Sequence, residues 1–140
     1  MLESMKLVPI LKIEGIGKNY AEKLNSLGIK TTKDLLEKGR TPTGREELAQ
    51  KSGVSPKLIL EWVQDSDLMR INGVSEEYSD LLDEAGIKNI PDLAKSDPED
   101  LLAKILEATK KKNIVRRPPS LKVVTKWIEQ AKKLPKIIEY

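Results

Sequence analysis

Apolar positions in this chain recur at helical spacing almost throughout. Tyr20, Leu24 and Leu27 share one face of a helix predicted over residues 18–27. Gly28 supplies its left-handed cap, and Ile29 folds back on the last turn. Thr31 or Thr32 caps a short helix through Leu35 and Leu36 that stops at Gly39. Thr43 opens another, over 44–51, closed by Gly53. Ser55 caps the next, with Pro56 at its first position. Leu58, Ile59, Leu60, Trp62 and Val63 make that helix apolar most of the way round, so it is buried on more than one side. Pro91 and Pro98 mark two further starts, the second capped by Ser96 or Asp97 and carrying Leu101, Leu102, Ile105 and Leu106. Arg116-Arg117-Pro118-Pro119 cannot be helical and is expected to be extended. Ser120 caps a last helix with Val124, Trp127, Ile128 and Ala131 on its face, and residues 134–140 read as an extended strip. The chain offers no persuasive strand.

One stretch returns. Ile13-Glu14-Gly15-Ile16-Gly17-Lys18 reappears as Ile71-Asn72-Gly73-Val74-Ser75-Glu76, at an offset of 58 residues. Under that offset Tyr20 meets Tyr78, Leu24 meets Leu82, Gly28-Ile29 meets Gly86-Ile87, and Asp34-Leu35 meets Asp92-Leu93. Trp62 answers Trp127 at an offset of 65, so the second copy holds 7 extra residues, placed between Asp97 and Pro119. A repeat of this length cannot bury its apolar face alone. Copies spanning about 13–67 and 71–134, with a tail at 135–140, are therefore expected to share one core in a single all-α domain with a pseudo-twofold axis.

Each copy opens a helix directly from a turn. In the first, Gly15 and Gly17 leave backbone N–H groups unobstructed by Cβ atoms. The helix start adds unpaired donors and a partial positive charge, which favour a phosphate. In the second, Ser75 replaces the second glycine and is expected to resist a positive φ. Glu76 and Glu77 also bring negative charge where a phosphate would approach. Phosphate binding is expected at the first copy alone.

Composition narrows the chemistry. There is no Cys and no His, which removes disulfides, thiolates, the usual general base and the commonest zinc ligand. No phosphate loop of P-loop type is present, so no catalytic constellation can be named and the chain is expected not to be an enzyme. The first twelve residues lack a long apolar run or a cleavage-site pattern, and nothing approaches a membrane span. A cytoplasmic setting is expected. Net charge is +3, but it is segregated: +2 over residues 1–70, −7 over 71–107 and +8 over 108–140. The acidic and basic blocks can neutralise each other across the fold as readily as serve a partner.

The turn Ile13-Glu14-Gly15-Ile16-Gly17, with Gly28-Ile29 after its helix, resembles the helix-hairpin-helix motif of DNA-repair and replication proteins. Two copies in tandem resemble the compact double form of that motif (a SAM/helix-hairpin-helix-like fold). Nearly the whole chain resembles the family catalogued as domain of unknown function 4332. That likeness covers residues 13–36, the 44–62 region, and the ending from Val115-Arg116-Arg117-Pro118-Pro119-Ser120 through Trp127 to Pro135. The motif implies binding of nucleic-acid backbone without sequence preference, DNA more than RNA, through hairpin amides and a basic side chain. Hairpin carbonyls in such proteins sometimes hold a monovalent cation; no other cofactor is implied. By position, Gly15, Ile16 and Gly17 form the hairpin, Lys18 supplies the charge and Lys12 assists.

Two further features bear on recognition. Residues 47–62 follow a helix-turn-helix outline, with Ala49 and Gly53 four apart. Their second helix offers Leu58, Leu60 and Glu61 where base-reading Arg, Asn or Gln is wanted, so sequence-specific reading is not expected. Lys110, Lys111, Lys112, Arg116 and Arg117 form a basic segment that extends the phosphate surface. Engagement of about five phosphates would give a log–log salt slope of roughly −4 to −5 on duplex DNA. No aromatic residue is interleaved, which argues against a single-strand stacking platform. The reading is a non-enzymatic module for nucleic-acid backbone. The alternative is a protein-interaction or scaffolding domain that keeps the fold and not the binding.

Overall fold

Gly15 takes φ +91° and Gly73 φ +94°, in the left-handed region that reverses the chain just before a helix. Around these two turns the computed structural model describes residues 5–13, 15–112 and 117–140. Among the described residues the chain is all-helical and holds no β-strand; Pro9 and Thr31 form a single isolated bridge. A 3-10 turn at Ile10–Lys12 leads into α1 (Lys18–Ser26), α2 (Thr32–Gly39), α3 (Pro42–Ser52) and α4 (Pro56–Leu68). Then follow α5 (Glu76–Glu84), α6 (Ile90–Ala94), α7 (Pro98–Lys112) and α8 (Leu121–Lys133). None of these helices is long and apolar enough to cross a membrane.

Local chemistry sets the helix ends. Thr31 accepts the Asp34 N–H and the Asp34 carboxylate returns to the Thr31 N–H at 3.1 Å, a reciprocal cap on α2. Asn89 accepts from the Asp92 N–H at 2.9 Å at the start of α6. Thr41, not Thr43, caps α3, because Pro42 occupies the first helical position and needs no N–H partner there. Of the two candidates before α7, Asp97 accepts the Asp100 N–H at 3.1 Å. α7 has 15 residues against 11 for α3, so part of the extra length in the second half lengthens this helix.

The buried apolar residues form two clusters, not the one core that the repeat length predicts. The first gathers Leu24, Leu35, Leu36, Ile59 and Trp62 where α2 and α3 pack on α4. The second gathers Leu82, Leu93, Ile105, Trp127 and Ile128 where α6 and α7 pack on α8. Each cluster is centred on one tryptophan, 1% exposed for Trp62 and 2% for Trp127, with a tyrosine ring 5.2 Å away in both cases.

Chain crossings join the clusters. Leu68, the last residue of α4, belongs to the second cluster, whereas Ile137 and Ile138 return to bury in the first. The closing strip is fixed along its length. Arg70 donates to the Pro135 carbonyl at 3.1 Å, and the Glu139 N–H donates to the Arg40 carbonyl at 2.7 Å. Arg45, itself buried, bridges the Gly39 and Glu139 carbonyls at 2.9 and 2.8 Å. The Tyr140 hydroxyl accepts from Gln64 and Asn89 at 2.9 and 2.8 Å, one from each half. Asp67 makes a second tie, pairing with Arg70 at 2.9 Å and accepting the Ile90 N–H at 2.8 Å. It is fully buried; burial pushes its carboxyl up, against the pull of the Ile90 amide and Arg70.

Candidate nucleic-acid interface

At the first turn, Ile16 is 4% exposed and its side chain belongs to the core, so only its backbone can meet a ligand. Gly17 is the N-cap of α1, with φ −83° and ψ 179°, and makes no side-chain cap bond. The first N–H groups of α1 lack intrahelical partners by geometry, and a glycine cap has no side chain to accept them. Beside this helix start lies an open cleft of about 590 Å³ lined by Gly15, Gly17, Lys18, Asn19, Tyr20 and Lys23. That volume lies within the range of ligand-holding clefts. Lys18 and Lys23 supply its cations.

Ser75 has φ −86° and ψ 179°, the same extended backbone as Gly17. The expected penalty for serine is therefore absent, since neither position needs a positive φ. Like Gly17, Ser75 makes no side-chain cap bond, so the two helix starts match in capping as well. The Asn72 N–H donates to Gln130 Oε1 at 3.0 Å, and the Gln130 side chain reaches back to the Asn72 carbonyl at 3.5 Å. A Cβ placed on Gly73 would sit 3.3 Å from Trp127 Nε1, so that turn lies tightly against α8. Glu76 and Glu77 occupy the first turn of α5, where carboxylates favour the helix itself.

The cations named from sequence separate into groups. Lys18 lines the first-turn cleft, while Lys12 is exposed at the end of the 3-10 turn and is not among the residues lining it. Lys110 and Lys111 are near the end of α7, and both are exposed. Lys111 lines a different cleft, with Glu84, Lys104 and Glu107, so carboxylates stand close to part of the basic segment. Arg116 lies outside the described residues, as does the side chain of Lys112. Arg117 is exposed, and its carbonyl accepts from the Tyr78 hydroxyl at 3.3 Å, which holds this stretch beside α5.

Sequence reasoning passes over Asn19, Tyr20 and Lys23 as site residues. Their spacing, with 19 and 23 four apart and 20 and 23 three apart, carries the signal for one helical face. Tyr20 both packs edge-on against Trp62 and remains 37% exposed in the cleft. Equally unannounced is the other side of Gly15, a smaller opening of about 150 Å³ lined by Leu58, Glu61, Trp62, Asp65, Asp80 and Asp83. Asp65 accepts from Ser79 Oγ at 3.3 Å, and Asp83 pairs with Lys88 at 2.7 Å. Burial, aided by Asp83, Asp80 and Glu61 and opposed by Ser79, pushes the Asp65 carboxyl up to about 7. Among the described residues, no group of three or more carboxylates is arranged to hold a metal ion.

A family model described as a domain of unknown function, DUF4332, matches residues 14–134. No curated protein and no solved structure matches the chain.

Proposed function

The chain belongs to the DUF4332 family, and on that footing we propose that it is a tandem helix-hairpin-helix module. It holds nucleic-acid backbone, DNA in preference to RNA, without reading sequence and without catalysing a reaction. The supporting observation is an asymmetry between the two turns. Neither helix start has a side-chain cap, and the first stands beside a cleft with Lys18 and Lys23. The second has a helix start bearing Glu76 and Glu77 in its first turn. Two hairpins related by a pseudo-twofold axis account for the matched backbone angles at Gly17 and Ser75 and the matched Tyr–Trp pairs.

Fluorescence anisotropy with a labelled duplex of about 20 base pairs, titrated across salt, tests the reading. Expected are micromolar binding at low salt, a steep fall with added salt, and a loss of about tenfold or more for Lys18→Glu with Lys23→Glu. Equal affinity for unrelated duplex sequences is also expected. Absence of binding at low salt would leave the protein-scaffold reading, which the carboxylates beside Lys111 and beside Gly15 favour.

A further inference from the structure

Gly15 lines two openings at once: the cleft of Lys18 and Lys23 on its α1 side, and the pocket of Glu61, Asp65, Asp80 and Asp83 on its α4 side. Cations thus line the opening on one side of Gly15 and carboxylates the opening on the other. We propose that Glu61 and Asp65 limit the reach and affinity of the first hairpin, confining a bound phosphodiester strand to the α1 side of Gly15. This inference rests on the phosphate reading of that hairpin.

The repeat architecture does not require these carboxylates. At the offset that carries Trp62 onto Trp127, Glu61 falls on Lys126 and Asp65 on Gln130. The second half thus packs its tryptophan equally well with a cation and an amide in those places. In the first half, a strand crossing Gly15 toward α4 would run from lysines onto acids. Asp83 is partly offset by Lys88 and Asp80 is engaged in an interaction of its own, which leaves exposed Glu61 and half-buried Asp65 as the adjustable part of the wall. A like charge within about a Debye length of a phosphate weakens its binding by about two- to tenfold at surface dielectric values.

The wall also changes with pH. The groups around Asp65 are Glu61 on its own helix, and Ser79, Asp80, Asp83 and Glu76 from α5; among the described residues no Lys or Arg lines either opening that Asp65 borders. Its carboxyl, held up to about 7, loses its proton through neutrality, so the wall gains charge as pH rises from about 6 to 8. Phosphate binding weakens over the same interval.

The test uses the full chain and the labelled duplex at about 50 mM salt, at pH 6 and pH 8. Glu61→Gln with Asp65→Asn is expected to bind about tenfold tighter than wild type at pH 8. Asp65→Asn alone is expected to abolish most of a severalfold weakening between the two pH values. Glu99→Gln with Asp100→Asn on α7 makes the same change in net charge and is expected to gain little. Should the hairpin double variant bind like wild type while Lys18→Glu abolishes binding, the wall is refuted and the hairpin reading stands. An equal gain from the α7 pair would likewise refute it, by reducing the effect to net charge. If neither wild type nor the double variant binds, both readings fall. Thermal melts confirm folding, and Glu61→Gln alone, at an exposed position, keeps the test decisive if Asp65→Asn unfolds.

Discussion

Gly15 and Gly17 look interchangeable in the sequence, yet their backbones ask for different things. Gly15 sits at φ +91°, with ordinary room for a Cβ 3.6 Å from Trp62 Nε1, so conformation alone demands glycine there. Gly15→Ala is expected to cost about 1–2 kcal/mol in urea denaturation. Gly17 is extended, and nothing lies within 4 Å of where a Cβ would stand, so Gly17→Ser is expected to stay within about 0.5 kcal/mol of wild type. The letters alone do not tell the two residues apart, because φ depends on where the turn closes. Asp65 is equally hidden, since its burial comes from α5, a separate element. Its folded carboxyl keeps a proton up to about 7, whereas the unfolded chain releases it near 3.8. The folded state binds more protons between those values, so this group's contribution to stability falls as pH rises from about 4 to 7. Asp65→Asn is expected to flatten much of that decline and to add about 1–3 kcal/mol at pH 8, read from urea midpoints at pH 5 and pH 8.

Elements are the most legible level. Proline at a first helical position and Ser, Thr, Asn or Asp just before it are local signals, and α4, α6 and α8 carry one or both of them where the chain shows helix starts. Thr41 and Thr43 both precede a helix-competent stretch, and Pro42 decides between them only once its place in the first turn is known. What local signals do not convey is how elements dock. The tie from Asp67 at the end of α4 to the Ile90 amide at the start of α6 spans 23 residues and has no periodicity to announce it. Asp67→Ala leaves the Arg70 guanidinium with the Pro135 carbonyl but no counter-charge and leaves that amide unpaired, and is expected to lower stability by about 3–5 kcal/mol in chemical denaturation. The candidate site follows the same division. The turn and Lys18 are evident in the letters, while Gln130 closing the second turn and the acids flanking the first depend on α8, α4 and α5 meeting those turns.

The molecule as a whole holds two tryptophan-centred clusters in mutual exchange, with Leu68 given one way and Ile137 and Ile138 the other. Such sharing makes the halves one cooperative unit. Ile137→Ala and Ile138→Ala are each expected to cost about 2–5 kcal/mol, with a single unfolding transition retained by circular dichroism and by tryptophan fluorescence. Separate transitions for the two probes would contradict that coupling. The exchange also has a temporal side. On the ribosome the helices around Trp62 emerge well before the isoleucines that finish their packing, so the early part of the nascent chain waits with an open apolar trough until residue 138 clears the exit tunnel. A stalled or prematurely ended translation product would keep that trough uncovered, the kind of exposed apolar surface that makes an incomplete chain prone to aggregate.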